Sequence, residues 1–87
     1  MGDVEAKFLE YLKRQLDEGH LSVSDPELRE GVLRENPDFR NRGAFRHAIQ
    51  RLRVRGVFNA IDASDGTRHY FIGNYPSAEL RASIGLG

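Results

Sequence analysis

The stretch Ala48-Ile49-Gln50-Arg51-Leu52-Arg53-Val54-Arg55-Gly56-Val57-Phe58, followed ten residues later by Arg68-His69-Tyr70-Phe71, decides how the chain reads. Its first half has helical period, because Phe45, Ala48, Ile49 and Leu52 fall on one stripe of a wheel turned about 100° per residue. Arg46, His47, Gln50, Arg51, Arg53 and Val54 then occupy the remaining, solvent-facing arc. Gly56 ends the helix, which the spacing places from about Arg42 to Arg55, with Asn41 as its N-cap. Val57-Phe58-Asn59-Ala60-Ile61 and Arg68-His69-Tyr70-Phe71-Ile72 are β-rich runs around Asp62-Ala63-Ser64-Asp65-Gly66, a turn cluster ending in Asp-Gly. Two such runs around a short glycine-containing loop predict a β-hairpin.

Working outward, Asp3 to Glu18 predicts a first helix capped by Asp3, with Val4, Phe8, Leu12 and Leu16 at i, i+4, i+8 and i+12. Leu9 and Tyr11 widen that stripe, and Gly19 terminates it. His20-Leu21-Ser22-Val23 alternates polar and apolar, as a very short strand would. Ser24-Asp25-Pro26-Glu27 offers two starts for a second helix: Ser24 with Glu27 as a capping box, or Asp25 as cap before Pro26. Leu28, Val32 and Leu33 are its expected buried side, Asn36-Pro37 its stop, and Phe39 a plug for the core. Beyond the hairpin, Ser77 and Glu79-Leu80-Arg81-Ala82 suffice for one or two helical turns. The expected organisation is one α+β domain over residues 1–73 and a tail over 74–87.

A chain of 87 residues has room for one domain, with a core thinned by its size. It is 39% apolar and 30% charged, the balance of a small soluble protein. Cysteine is absent, which removes disulfides and thiolate metal sites. The opening MGDVEAKFLE has acids where a secretory signal needs a basic start and an apolar run, and no stretch approaches the ~20 apolar residues of a membrane span. The expected setting is therefore the cytoplasm, on the nucleoid, or the nucleus in a eukaryote.

The formal net charge is zero, yet it is divided unevenly. Residues 1–38 hold five Lys/Arg against ten Asp/Glu, residues 39–61 hold six arginines and no acid, and the remainder comes to −1. Salt limits the reach of charge to about 8–10 Å, so a phosphate responds to the local +6 and not to the total.

Helix, short strand, helix, turn, helix and hairpin, with the passage apolar–x–x–Leu–x–x–x–Gly–apolar into an aromatic strand, resembles the winged helix-turn-helix superfamily over residues 3–73. The resemblance implies a three-helix bundle with a C-terminal β-hairpin wing, a third helix lying in the major groove of double-stranded DNA, and a wing touching the backbone or adjacent minor groove. The loop from Asn36 to Asn41 is longer than the tight turn of the minimal motif. Arginine pairs bidentately with guanine and neutralises phosphate, Gln50 suits adenine, and Gly43 lets backbone amides at the start of the third helix approach a phosphate. The expected contacts are Asn41, Arg42, Gly43, Arg46, His47, Gln50, Arg51, Arg53 and, on the wing, Arg68. The expected role is a small transcriptional regulator or architectural DNA-binding factor.

Each signal has a plainer reading. An arginine-rich face is also an ordinary solvated surface, although such helices usually interleave acids to form i,i+4 pairs. Arg40 or Arg55 has the alternative of pairing with the acidic first half. His20 reads as a cap or bystander, and His69 reaches Asp62 or Asp65 only in a suitable register. Asp62, Asp65 and Gly66 have turn chemistry as their default. Three scattered histidines make no metal site, and neither a Gly-x-Ser-x-Gly elbow nor a glycine-rich phosphate loop occurs, so no enzyme, metal, cofactor or small-molecule ligand is expected. Alternatives to duplex DNA are RNA and a protein partner for a module of a larger assembly. Tyr75, Leu80, Ile84 and Leu86 in the tail, with Leu9 and Tyr11 of the first helix, supply apolar material for a homodimer.

Overall fold

The apolar stripe at the start of the chain forms helix α1, Asp3–Asp17, in the computed structural model, which describes residues 3–39 and 42–86. Phe8 and Leu12 are fully buried and Tyr11 nearly so, with Val4 and Leu16 packed at the margin. The helix ends where Gly19 takes φ +101°, a conformation that costs a residue without Cβ little, and the Gly19 and His20 amides bond back to Leu16 and Gln15.

Strand β1 is Val23–Ser24, and helix α2, Asp25–Glu35, follows without a break. Of the two possible starts, Ser24 is the cap: its hydroxyl accepts the Glu27 amide at 3.3 Å. The strand takes in only the last residue of the alternating run His20–Val23 and ends one residue beyond it. Its length and place are set by pairing, with Val23 opposite Tyr70 and Ser24 opposite His69. The buried side of α2 is Leu28, Gly31 and Val32. Leu33 departs from expectation at 37% exposed, because it turns into an open groove with Pro26, Pro37 and Phe39 rather than into the core. Gly31 is buried for a steric reason: a Cβ there would collide with the Tyr11 ring, so glycine lets α1 and α2 close on one another. That ring carries the Arg14 guanidinium 5.3 Å from its centroid, and Arg14 also pairs with Glu35 of α2.

Helix α3, Arg42–Val54, buries Phe45, Ala48, Ile49 and Leu52, the stripe its spacing predicts. Phe45 meets Phe8 of α1 edge-to-face at 5.1 Å. The expected cap Asn41 lies outside the described residues, as does Arg40. Gly56, at φ +73°, turns the chain into β2, Asn59–Asp62, and β3, Arg68–Phe71, completes the hairpin. The sheet is antiparallel in the order β1-β3-β2, so the last strand is its centre.

Successive residues of a strand face opposite sides. Tyr70 joins the helical core, where it meets Phe58 at 5.1 Å, whereas Phe71 is buried outside that cluster. Leu80 of helix α4, Ala78–Ser83, is likewise buried outside it. The segment leads back along the hairpin, because the Ser64 amide in the hairpin loop donates to the Ile84 carbonyl at 3.3 Å. The tail thus packs on its own domain. Leu80 and Tyr11, counted among residues for a homodimer, are both spent inside one chain, while Tyr75 stays 88% exposed. Among the described residues no helix is long and apolar enough to cross a membrane.

Candidate functional site

The four buried residues of α3 fix its rotation, and the rotation sorts its polar residues. Arg46, His47, Gln50, Arg51, Arg53 and Arg55 are all exposed, as is Gly43, and Val54 is 80% exposed. Arg46 and Arg53, two turns apart, lie along one flank of the solvent face; Arg51 and Arg55, one turn apart, lie along the other. Gln50, His47 and Val54 run between the two flanks. Arg42 opens the helix, and no acid falls anywhere along it.

The two flanks differ in what holds them. On one, Glu5 of α1 is 7% exposed and accepts from both arginines, Arg51 Nη1 to Oε1 at 3.3 Å and Arg55 Nη1 to Oε2 at 3.2 Å. On the other, Arg46 and Arg53 make no ion pair with any described residue. The intramolecular pairing open to Arg55 is therefore realised, and Arg51, expected on the ligand face, shares it. Glu5 was missed in the sequence, although a signal exists: with Phe8 and Leu12 it forms an i, i+3, i+7 set, a carboxylate placed inside an apolar stripe.

The hairpin is more acidic than a phosphate-binding surface should be, and its charges are tied down. Arg68 stands opposite Asp62 and donates from Nε to its Oδ1 at 3.1 Å, which raises the arginine's already high pKa. Asp65 does turn chemistry: it accepts the Thr67 amide at 2.9 Å, which holds its carboxyl below the usual range. The register sets His69 opposite Ile61, and its Nδ1 lies 3.3 Å from Ser22 Oγ; neither Asp62 nor Asp65 is its hydrogen-bond partner. Among the described residues no group of three His, Cys, Asp or Glu side chains converges as metal ligands would.

One polar contact unforeseen from the sequence braces the sheet against α2. The Tyr70 hydroxyl donates to Asp25 Oδ1 at 2.5 Å, and Arg29 Nε donates to both oxygens of the same carboxylate at 3.1 and 3.0 Å. Burial, reinforced by this hydrogen bond, pushes the Tyr70 hydroxyl well above its ordinary pKa.

The molecule is a small α+β domain with four helices and a three-stranded antiparallel sheet among its described residues. No family model matches the chain, and comparison with curated proteins and with solved structures finds no match.

Proposed function

We propose that the chain is a winged helix-turn-helix domain that binds double-stranded DNA, with α3 as the recognition helix and the β2–β3 hairpin as the wing. The observation that carries this reading is the acid-free solvent face of α3, with arginines along both flanks and Gln50 between them. The element order and the pairing of β1 with β3 support the fold assignment. A B-form major groove is about 12 Å wide and admits an α-helix. Gln50 on the central strip suits the adenine edge, Val54 the thymine methyl, and the flanking arginines guanine or phosphate. Arg68, already bonded to Asp62, is a secondary contact in this reading. The domain acts by binding rather than catalysis, as a regulator or an architectural factor.

The test is a fluorescence-anisotropy titration of generic duplex DNA at several salt concentrations. Binding is expected to weaken with salt at a log–log slope of about 0.9 per neutralised phosphate. No binding at low salt, or an unaltered affinity in folded Arg46→Ala and Arg53→Ala variants, overturns the reading. A protein partner is the second reading, favoured by the open groove that exposes Leu33 beside Phe39. Under that reading Leu33→Asp abolishes function and the α3 arginines are dispensable. Competition by duplex RNA separates the RNA alternative.

A further inference from the structure

We infer that Glu5, Arg51 and Arg55 form a tethered seat for one backbone phosphate at the junction of α1 and α3, with Glu5 as the positioning residue; this rests on the duplex-binding reading above. The two arginines sit one turn apart, and each gives a single Nη1 to a different oxygen of one carboxylate. Their side chains remain 63% and 60% exposed above a carboxylate that is only 8% exposed. A guanidinium carries five N–H donors, so each of these exposed heads keeps most of its donors unused by Glu5. A phosphodiester has oxygens enough to accept from both heads at once, and the triad as a whole is cationic.

The tether decides what kind of contact these heads make. Leaving Glu5 would strand a buried carboxylate without its cations, which is costly, so Arg51 and Arg55 stay at the flank when a ligand arrives. They cannot reach along the groove floor as Arg46 and Arg53 can. Their side-chain order is set before binding, so less freedom is lost on contact. Helix α3 and the turn that ends it thus present a held pair, Arg51 and Arg55, that registers the backbone, and a second pair, Arg46 and Arg53, without an ion pair among the described residues and available to base edges.

The experiment combines NMR of the arginine Nε–Hε signals in the full chain with anisotropy titrations of several duplex sequences. Duplex DNA should shift the Arg51 and Arg55 signals. Arg51→Ala and Arg55→Ala should each weaken every duplex alike and lower the salt slope by about one. Glu5→Gln removes a negative charge, so simple electrostatics requires tighter binding; loss of positioning requires binding roughly five- to tenfold weaker. Equal or tighter binding by Glu5→Gln overturns the positioning role. An unchanged salt slope in both alanine variants overturns the seat. Should Glu5→Gln fail to fold, the Arg51→Lys/Arg55→Lys double variant keeps the charge without the fork, and undiminished binding by it overturns the proposal. If the wild-type chain binds no duplex, the function above fails. The seat is then judged by inorganic phosphate at millimolar concentration, where shifts of these two signals uphold it and their absence overturns it.

Discussion

The Tyr70 hydroxyl stands 2.5 Å from Asp25 Oδ1 and ties the central strand of the sheet to the first residue of α2. Tyr70→Phe removes the only proton in that contact and leaves Asp25 to Arg29. The expected cost is ~1.5–3 kcal/mol at neutral pH, the range for hydrogen bonds to charged groups. The pH dependence has a definite sign. In the folded chain the hydroxyl stays protonated above its ordinary pKa of 10.0, whereas the unfolded chain releases the proton there. Stability therefore falls as pH rises beyond that value. Urea melts of wild type and Tyr70→Phe between pH 8 and 11 should show a shallower decline in the variant; parallel declines would remove the bond from the account.

Gly31 and Tyr11 predict a sign reversal. In an ordinary helix interior, Gly→Ala stabilises by roughly 0.5–1 kcal/mol. Here the new methyl meets the Tyr11 ring, and displacing that ring sacrifices its burial and its contact with Arg14. Gly31→Ala should cost ~1–3 kcal/mol in the wild type. In a Tyr11→Ala background the same change should be neutral or stabilising, and a double-mutant cycle reads the difference.

The phase of α3 is tested by its buried stripe. Ile49→Ala or Leu52→Ala should each cost roughly 2–5 kcal/mol, a large share of a small domain's stability. Arg46→Ala and Arg53→Ala should leave the melting temperature nearly unchanged while weakening duplex binding by ~1–3 kcal/mol per base contact. The two sets must separate in this way, because they lie on opposite sides of one helix.

The tail carries a prediction about the hairpin rather than about assembly alone. The Ser64 amide donates to Ile84, and Leu80 is buried. Deleting residues 75–87 should speed hydrogen exchange at the Ser64 amide, which loses its Ile84 acceptor, and lower stability measurably. Sedimentation of the intact and shortened chains checks the homodimer in the same experiment. A mass change without altered Ser64 exchange would assign the tail to an interface and not to the hairpin.

What the sequence conveys here is mostly what is local and periodic. The stripe of Phe45, Ala48, Ile49 and Leu52 repeats at helical spacing, so α3 and its exposed arginines were legible. The Ser24 cap and the Asp-Gly turn are local chemistry too. Partners far apart along the chain were not legible: Tyr70 and Asp25 meet only once β3 lies between its neighbours, and Glu5 meets Arg51 and Arg55 only when α1 crosses α3. The position of β1 escaped for the same reason, since a two-residue strand is defined by its partner and not by its own alternation. Leu33 was misjudged because helical spacing says which residues share a face, not how far a neighbouring element extends to cover it.

The strand order has a consequence for behaviour in concentrated solution. An unpaired strand edge is a template onto which another chain can add, and short or charged edges blunt it. In this sheet the outer strands span two and four residues, and one of them ends in the exposed Asp62. Arg68–Phe71, the strand carrying the two buried aromatic rings, is flanked on both sides by its own chain. The native domain therefore offers little foothold for fibril growth. The central strand, with Tyr70 and Phe71, becomes available for such pairing only on unfolding, so the onset of aggregation should track the concentration of unfolded chain, the unfolded fraction multiplied by the total.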